Sequence, residues 1–213
     1  MKREYHEQLR KEFDRQVENL LQKGYPDIIG VSVEKFTQDL GPLKARLAAG
    51  SFAEINVEAG KLPFVIVIKS ELVATEIAIQ QVEREGRNGF VSMYPVEPTS
   101  FKPIDGIKLP GSKAYLLLDI DRGNRTLNVT PDAALKMIEQ ENRSPLTIDE
   151  GIAVITHYPE FLRKNYCFSM LASRCGDRRV PALWISEGRP KLGWCWAGNP
   201  HTWLGSASCA GRA

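Results

Sequence analysis

The chain has 213 residues, 43% hydrophobic and 25% charged, a size and balance that suit one domain with a real core. Lysine and arginine number 28 against 26 aspartates and glutamates, a formal charge of +2. The basic residues form no arm or tail, so nucleic acid is not an expected partner. The opening Met1-Lys2-Arg3-Glu4-Tyr5-His6-Glu7 lacks the apolar core of a signal peptide, and no stretch has the apolar length of a membrane span. A cytoplasmic protein with no membrane partner is expected, its four cysteines thiols rather than disulfides.

Tyr5, Leu9, Phe13, Val17 and Leu20 recur at helical spacing before Gly24, which predicts an amphipathic helix with a glycine stop. Ser32 caps a second helix carrying Val33, Phe36 and Leu40. Gly41-Pro42 is expected to interrupt it before a further turn through Leu43 and Leu47. The continuous run Leu62-Pro63-Phe64-Val65-Ile66-Val67-Ile68 reads as a strand covered on both faces, the sheet centre. Helical spacing then runs from Ser70 to Val82, and prolines 95, 98, 103 and 110 mark an extended surface loop suited to a lid.

Ala114–Ile120 is a further strand, with a turn at Asp121-Arg122-Gly123-Asn124 and Leu127 and Val129 on the returning strand of a hairpin. Thr130 and Pro131 open a helix through Ala134, Leu135 and Ile138. Thr147 and Glu150 form a capping box for another that runs to Tyr158-Pro159. In that helix His157 reads as a cation on the helix dipole. Residues 166–171, 180–186 and 191–197 read as strands, and glycines and small residues close the chain. The order predicts a mixed α+β single domain: a helical part over 1–60, a mixed part with a central sheet over 61–165, and an antiparallel β-rich segment over 166–213.

The chemistry concentrates in that last segment, which holds all four tryptophans, Cys175, Cys195, Cys209 and His201. Aromatics beside arginines suit a recess for a flat or anionic molecule, through stacking and forked hydrogen bonds. Arg174, Arg178, Trp194, Cys195, Trp196 and Trp203 are the expected ligand-binding residues. Cys175, Asp177 and His201 are the expected catalytic ones, a thiol needing a base or a positive field to ionise. A packed aromatic core with solvated arginines is the plainer alternative. Zinc on Cys175, Cys195, Cys209 and His201 is a third, although these ligands lack the close pairs of structural zinc sites. Asp119 and Asp121 could hold a divalent ion, but turn formation explains Asp121 more simply. No phosphate-cradling glycine loop follows the strand at 64–68, so no nucleotide cofactor is expected.

The stretches Ser144-Pro145-Leu146-Thr147-Ile148-Asp149-Glu150-Gly151, Ser173-Arg174-Cys175-Gly176-Asp177-Arg178-Arg179-Val180-Pro181 and Gly193-Trp194-Cys195-Trp196-Ala197-Gly198-Asn199-Pro200-His201-Thr202-Trp203 resemble a bacterial family whose domain has no assigned function. The resemblance implies a bacterial cytoplasmic origin and carries over no catalytic residue. Two functions remain open. One is a binding protein or enzyme for a small polar or anionic metabolite, working by acid–base or elimination chemistry. The other is a non-catalytic interaction protein using a tryptophan-rich surface.

Overall fold

The computed structural model describes residues 2–47 and 55–213; residues 1 and 48–54, part of the expected helical stretch, lie outside them. Helix α1 (Lys2–Gln22) buries Leu9, Phe13, Val17 and Leu20 along one stripe. Gly24, at φ 71°, turns the chain into the short α2 (Tyr25–Ile29). In α3 (Val33–Arg46) Ser32 accepts from the Lys35 amide, as expected of a cap. The expected break at Gly41-Pro42 does not occur. Proline inside a helix costs about 3 kcal/mol, yet Gly41 and Pro42 face solvent while Leu40, Leu43 and Leu47 are buried, so packing carries the helix through.

Strand β1 (Lys61–Ile68) is the expected buried run. Helix α4 (Thr75–Gln80) is shorter than the predicted 70–82, because Ser70 donates to Asp149 and residues 69–73 turn on the Lys69 carbonyl. Then come β2 (Glu83–Arg84), β3 (Arg87–Asn88), β4 (Phe90–Val91), and β5 (Lys102–Pro103) within the proline-rich segment. Strand β6 (Ala114–Asp121) pairs antiparallel with β1, Phe64 opposite Leu118 and Ile66 opposite Leu116. Leu127 and Val129 do not return as a strand. Gly123, at φ 89°, sits so tightly on Ser206 that a Cβ would stand 2.1 Å from its carbonyl oxygen, and the chain leaves through a 3-10 turn at Asn124–Thr126.

Helix α5 (Pro131–Gln140) follows its Thr130 cap, then β7 (Ser144–Pro145) and α6 (Ile148–His157), where both halves of the capping box form. The remaining strands are β8 (Cys167–Ser169), β9 (Ser173–Arg174), β10 (Arg179–Ser186), β11 (Arg189–Trp196), β12 (Leu204–Ser206) and β13 (Ser208–Arg212). One sheet runs β1-β6-β13-β7, antiparallel throughout; the other runs β12-β8-β10-β11-β4, with β12 and β4 joined in parallel at its edges. The fold is mixed α+β, with helices first and antiparallel sheets after them. The last strand, where the sequence shows only glycines and small residues closing the β-rich segment, fills the place beside β6 that the hairpin was expected to take. Among the described residues no helix is long and apolar enough to cross a membrane.

Strand β1 is an edge strand, yet its outward backbone groups are buried. The Ile66 amide donates to Gln16 Oε1 at 2.8 Å, Gln16 Nε2 donates to the Phe64 carbonyl at 3.2 Å, and His157 Nε2 lies 3.0 Å from the Ile66 carbonyl. Asn19 Nδ2 meets His157 Nδ1 at 3.2 Å, which fits a neutral ring accepting at Nδ1 and donating at Nε2. His157 is therefore not the dipole-stabilised cation the sequence suggested; burial pushes its pKa down to about 3. At the other end of α6, buried Glu150 takes the Arg212 guanidinium at 2.9 Å, the Tyr115 hydroxyl at 2.8 Å and the Thr147 amide at 2.8 Å. Asp121 pairs with Lys61 and accepts the Gly123 amide at 2.7 Å, while Asp119 takes Arg143 at 2.8 Å, so both carboxylates have structural partners.

Gln16→Leu strands two buried backbone groups and should lower unfolding free energy by about 1–3 kcal/mol for each, read as a fall in urea midpoint at an unchanged slope. His157 sets a pH dependence. Between pH 6.5 and about 3 the unfolded chain binds a proton that the folded ring refuses, so its contribution is full above 6.5 and is lost as pH falls through that window. His157→Gln should be less stable at pH 7 yet lose less on acidification; urea midpoints from pH 7.5 to 4 that fall in parallel with the unaltered protein would refute this.

Candidate ligand-binding recess

The residues expected to form one pocket fall into three groups. At the first, Trp194 and Trp196 stand two apart on β11 and therefore share a face, rings 5.0 Å apart and edge-on. Arg179, paired with Trp196 across the β10–β11 ladder, lays its guanidinium 4.7 Å from the Trp194 centroid and 5.1 Å from that of Trp196. Asp177 pairs with this arginine and also accepts its backbone amide at 2.8 Å. That amide is the largest influence holding the carboxyl below its usual range. Cys175 donates its thiol to Asp177 Oδ1 at 3.2 Å; burial and this bond raise its pKa. The positive field expected to ionise Cys175 is instead engaged with a carboxylate.

The neighbouring arginines turn elsewhere. Arg178 pairs with Asp132 of α5 at 2.9 Å, and Arg174 donates to the Leu171 and Ser173 carbonyls at 2.6 and 3.0 Å. Cys195 lies 3.7 Å from the Ser169 hydroxyl, and burial raises its pKa. Cys209, in the other sheet, is pushed up to about 12 by burial. No group of three or more histidine, cysteine or acidic side chains among the described residues is placed to hold a metal ion. His201 stacks on Trp203, ring centroids 5.2 Å apart, and bonds to neither Cys175 nor Cys195.

The third group faces a cavity. A recess of about 520 Å3 is lined by Trp184, Trp203, Ile185 and Cys167, with Arg84, Glu85, Lys164, Asn165, Glu187 and Gly188 around them. The two indoles meet edge-on at 6.2 Å. Trp184 can lie where it does because residue 193 is glycine: a Cβ there would stand 2.2 Å from the indole. The tight turn that sets this hairpin uses Glu187 at φ 55° and Gly188 at φ 74°, the pair of positive angles that suits the strand twist. Lys191 stands opposite Trp184 on β11, its ammonium 5.2 Å from the ring.

The charges at this recess are unequal in freedom. Glu85 pairs with Arg84 at 3.5 Å and Glu187 with Arg189 at 3.2 Å, whereas Lys164 has no ion-pair partner among the described residues. Cys167 donates to the Arg163 carbonyl at 3.4 Å and burial pushes its pKa up to about 11, so its thiol is no nucleophile near neutrality. Of the expected ligand-binding residues only Trp203 lines this recess. Lys164 and Arg84 were not anticipated, and Trp184 entered only as one of the four tryptophans of the segment; a large aromatic at the half-buried end of its strand was the available signal.

The chain belongs to the family of unknown function DUF5701, whose model matches residues 19–213. No curated protein and no solved structure matches it.

Proposed function

We propose that the protein binds a small, planar, anion-bearing metabolite in the Trp184–Trp203 recess. The observation that carries this reading is a cavity large enough for such a molecule, walled by two indoles and bordered by an unpaired Lys164. Indole faces favour flat partners, and the few polar groups at the rim fix orientation. Arg84 and Lys164 supply hydrogen-bond donors for a carboxylate or phosphate. Of the three residues expected to do acid–base chemistry, only His201 stands beside this recess, against Trp203, so the proposal is one of binding rather than turnover.

A second reading has its own observation. Tyr94 is 92% exposed and Trp196 42%, and the Trp194 indole donates to the Tyr94 carbonyl at 3.2 Å, so large aromatics share one exposed place with Arg179. Aromatics and arginine of this kind suit a self-association surface.

Titration with indole-3-carboxylate and adenosine monophosphate should quench tryptophan fluorescence saturably. Trp203→Ala should abolish the quench, and Lys164→Glu should weaken the anions by about ten-fold, the order expected for one lost charge contact, while sparing neutral adenosine. No saturable change at millimolar concentration with either probe would refute the recess reading. For the surface reading, sedimentation across a concentration series should show a mass increase that Trp196→Ala removes; a constant monomer mass would sink it.

A further inference from the structure

A second cleft, of about 370 Å3, opens where the turn after β1 meets the N-terminus of α6 and the proline-rich segment. It shares no lining residue with the tryptophan recess. Two charges of opposite sign, one buried and one half-buried, line it without forming an ion pair with one another. Asp149, half-buried in the first turn of α6, accepts from the Ser70 amide at 2.9 Å and the Ser70 hydroxyl at 3.0 Å. Both bonds fall on Oδ2, so Oδ1 has no protein donor among the described residues. Burial raises the Asp149 pKa, and the nearby Lys69 offsets only part of that.

Lys69 is 9% exposed; its ammonium donates to the Pro110 carbonyl at 2.5 Å, stands 5.9 Å from the centroid of the Tyr115 ring and forms no ion pair among the described residues. With one hydrogen on the Pro110 carbonyl and the Tyr115 ring to one side, the ammonium still has donor capacity for another acceptor. A desolvated carboxylate and a desolvated ammonium each gain when a fitting opposite charge arrives, because neither has water to lose in full. A ligand carrying both charges answers both groups at once. The cleft's three carboxylates, Glu71, Glu76 and Asp149, outnumber its two lysines, Lys69 and Lys102, so a purely anionic ligand is disfavoured. Phe101, Leu109 and Ile148 supply apolar wall, with Phe101 itself fixed at 7% exposure. The proline-rich segment is thus the outer wall of this cleft, held in place where β5 pairs with β9.

We propose that this cleft binds a free amino acid with an apolar side chain, its ammonium on Asp149, its carboxylate on Lys69 and its side chain against Phe101 and Leu109. Calorimetry on the full chain with L-leucine, isoamylamine and isovalerate separates the two contacts, the last two probes carrying one charge each. Leucine should bind about ten-fold or more tightly than either half-molecule. Asp149→Asn should weaken leucine and isoamylamine and spare isovalerate; Lys69→Met should weaken leucine and isovalerate and spare isoamylamine. Leucine no tighter than its halves, or no heat from leucine at millimolar concentration, overturns the proposal. The comparison of the three probes on the unaltered protein decides it even where a variant fails to fold. Trp203→Ala should leave leucine binding unchanged, so this reading and that of the recess stand or fall separately.

Discussion

The buried edge of β1 is the constraint on which the rest of the molecule depends. An edge strand normally offers its outward amides and carbonyls to water. Here α1 and α6 cover that edge, so each group must find a protein partner or cost the fold its desolvation. Gln16 spans two of them, at Ile66 and Phe64, and His157 takes the third. One amide side chain reaches only a short way, so the height of α1 on the sheet is set by this contact as much as by its apolar stripe.

Helix α6 is held in the same manner at both ends. Its C-terminal His157 must be neutral to serve Ile66 and Asn19, and its first turn is fixed by Glu150, which gathers a helix-cap amide, a tyrosine from β6 and an arginine from the last strand. Three elements distant in sequence thus meet on one carboxylate, and β13 is tied into the sheet by a buried charge pair as well as by its ladder. The residue before Glu150 is Asp149, so the contacts that anchor the helix also fix where the second cleft has its carboxylate.

Strand alternation explains the scatter of the C-terminal residues. Trp194 and Trp196 share a face because they stand two apart, and Arg179 covers both because it pairs with the second across the ladder. Arg178, one residue earlier, turns to Asp132 of α5. Trp184 is seated by Gly193, which leaves room for the indole where any side chain would collide. A segment that looks like a single cluster when read along the chain becomes separate aromatic groups once the strands are paired.

What the sequence determined by itself was local. The stripe of α1, the caps at Ser32, Thr130 and Thr147, the apolar run of β1 and the β10–β11 hairpin all follow from contacts within a few residues, where spacing and side-chain chemistry decide. Tertiary structure decided the rest. Pro42 stayed helical because leucines on either side are buried, β13 displaced the expected hairpin because Gly123 closes on Ser206, and the expected cysteine–histidine pairing dissolved because each thiol found its own neighbour. Lys69, Ser70 and Asp149 gave no signal as a site, since their importance lies in a buried ammonium and a half-buried carboxylate lining one cleft, and burial of a charge is a property of the packed chain rather than of any stretch of it.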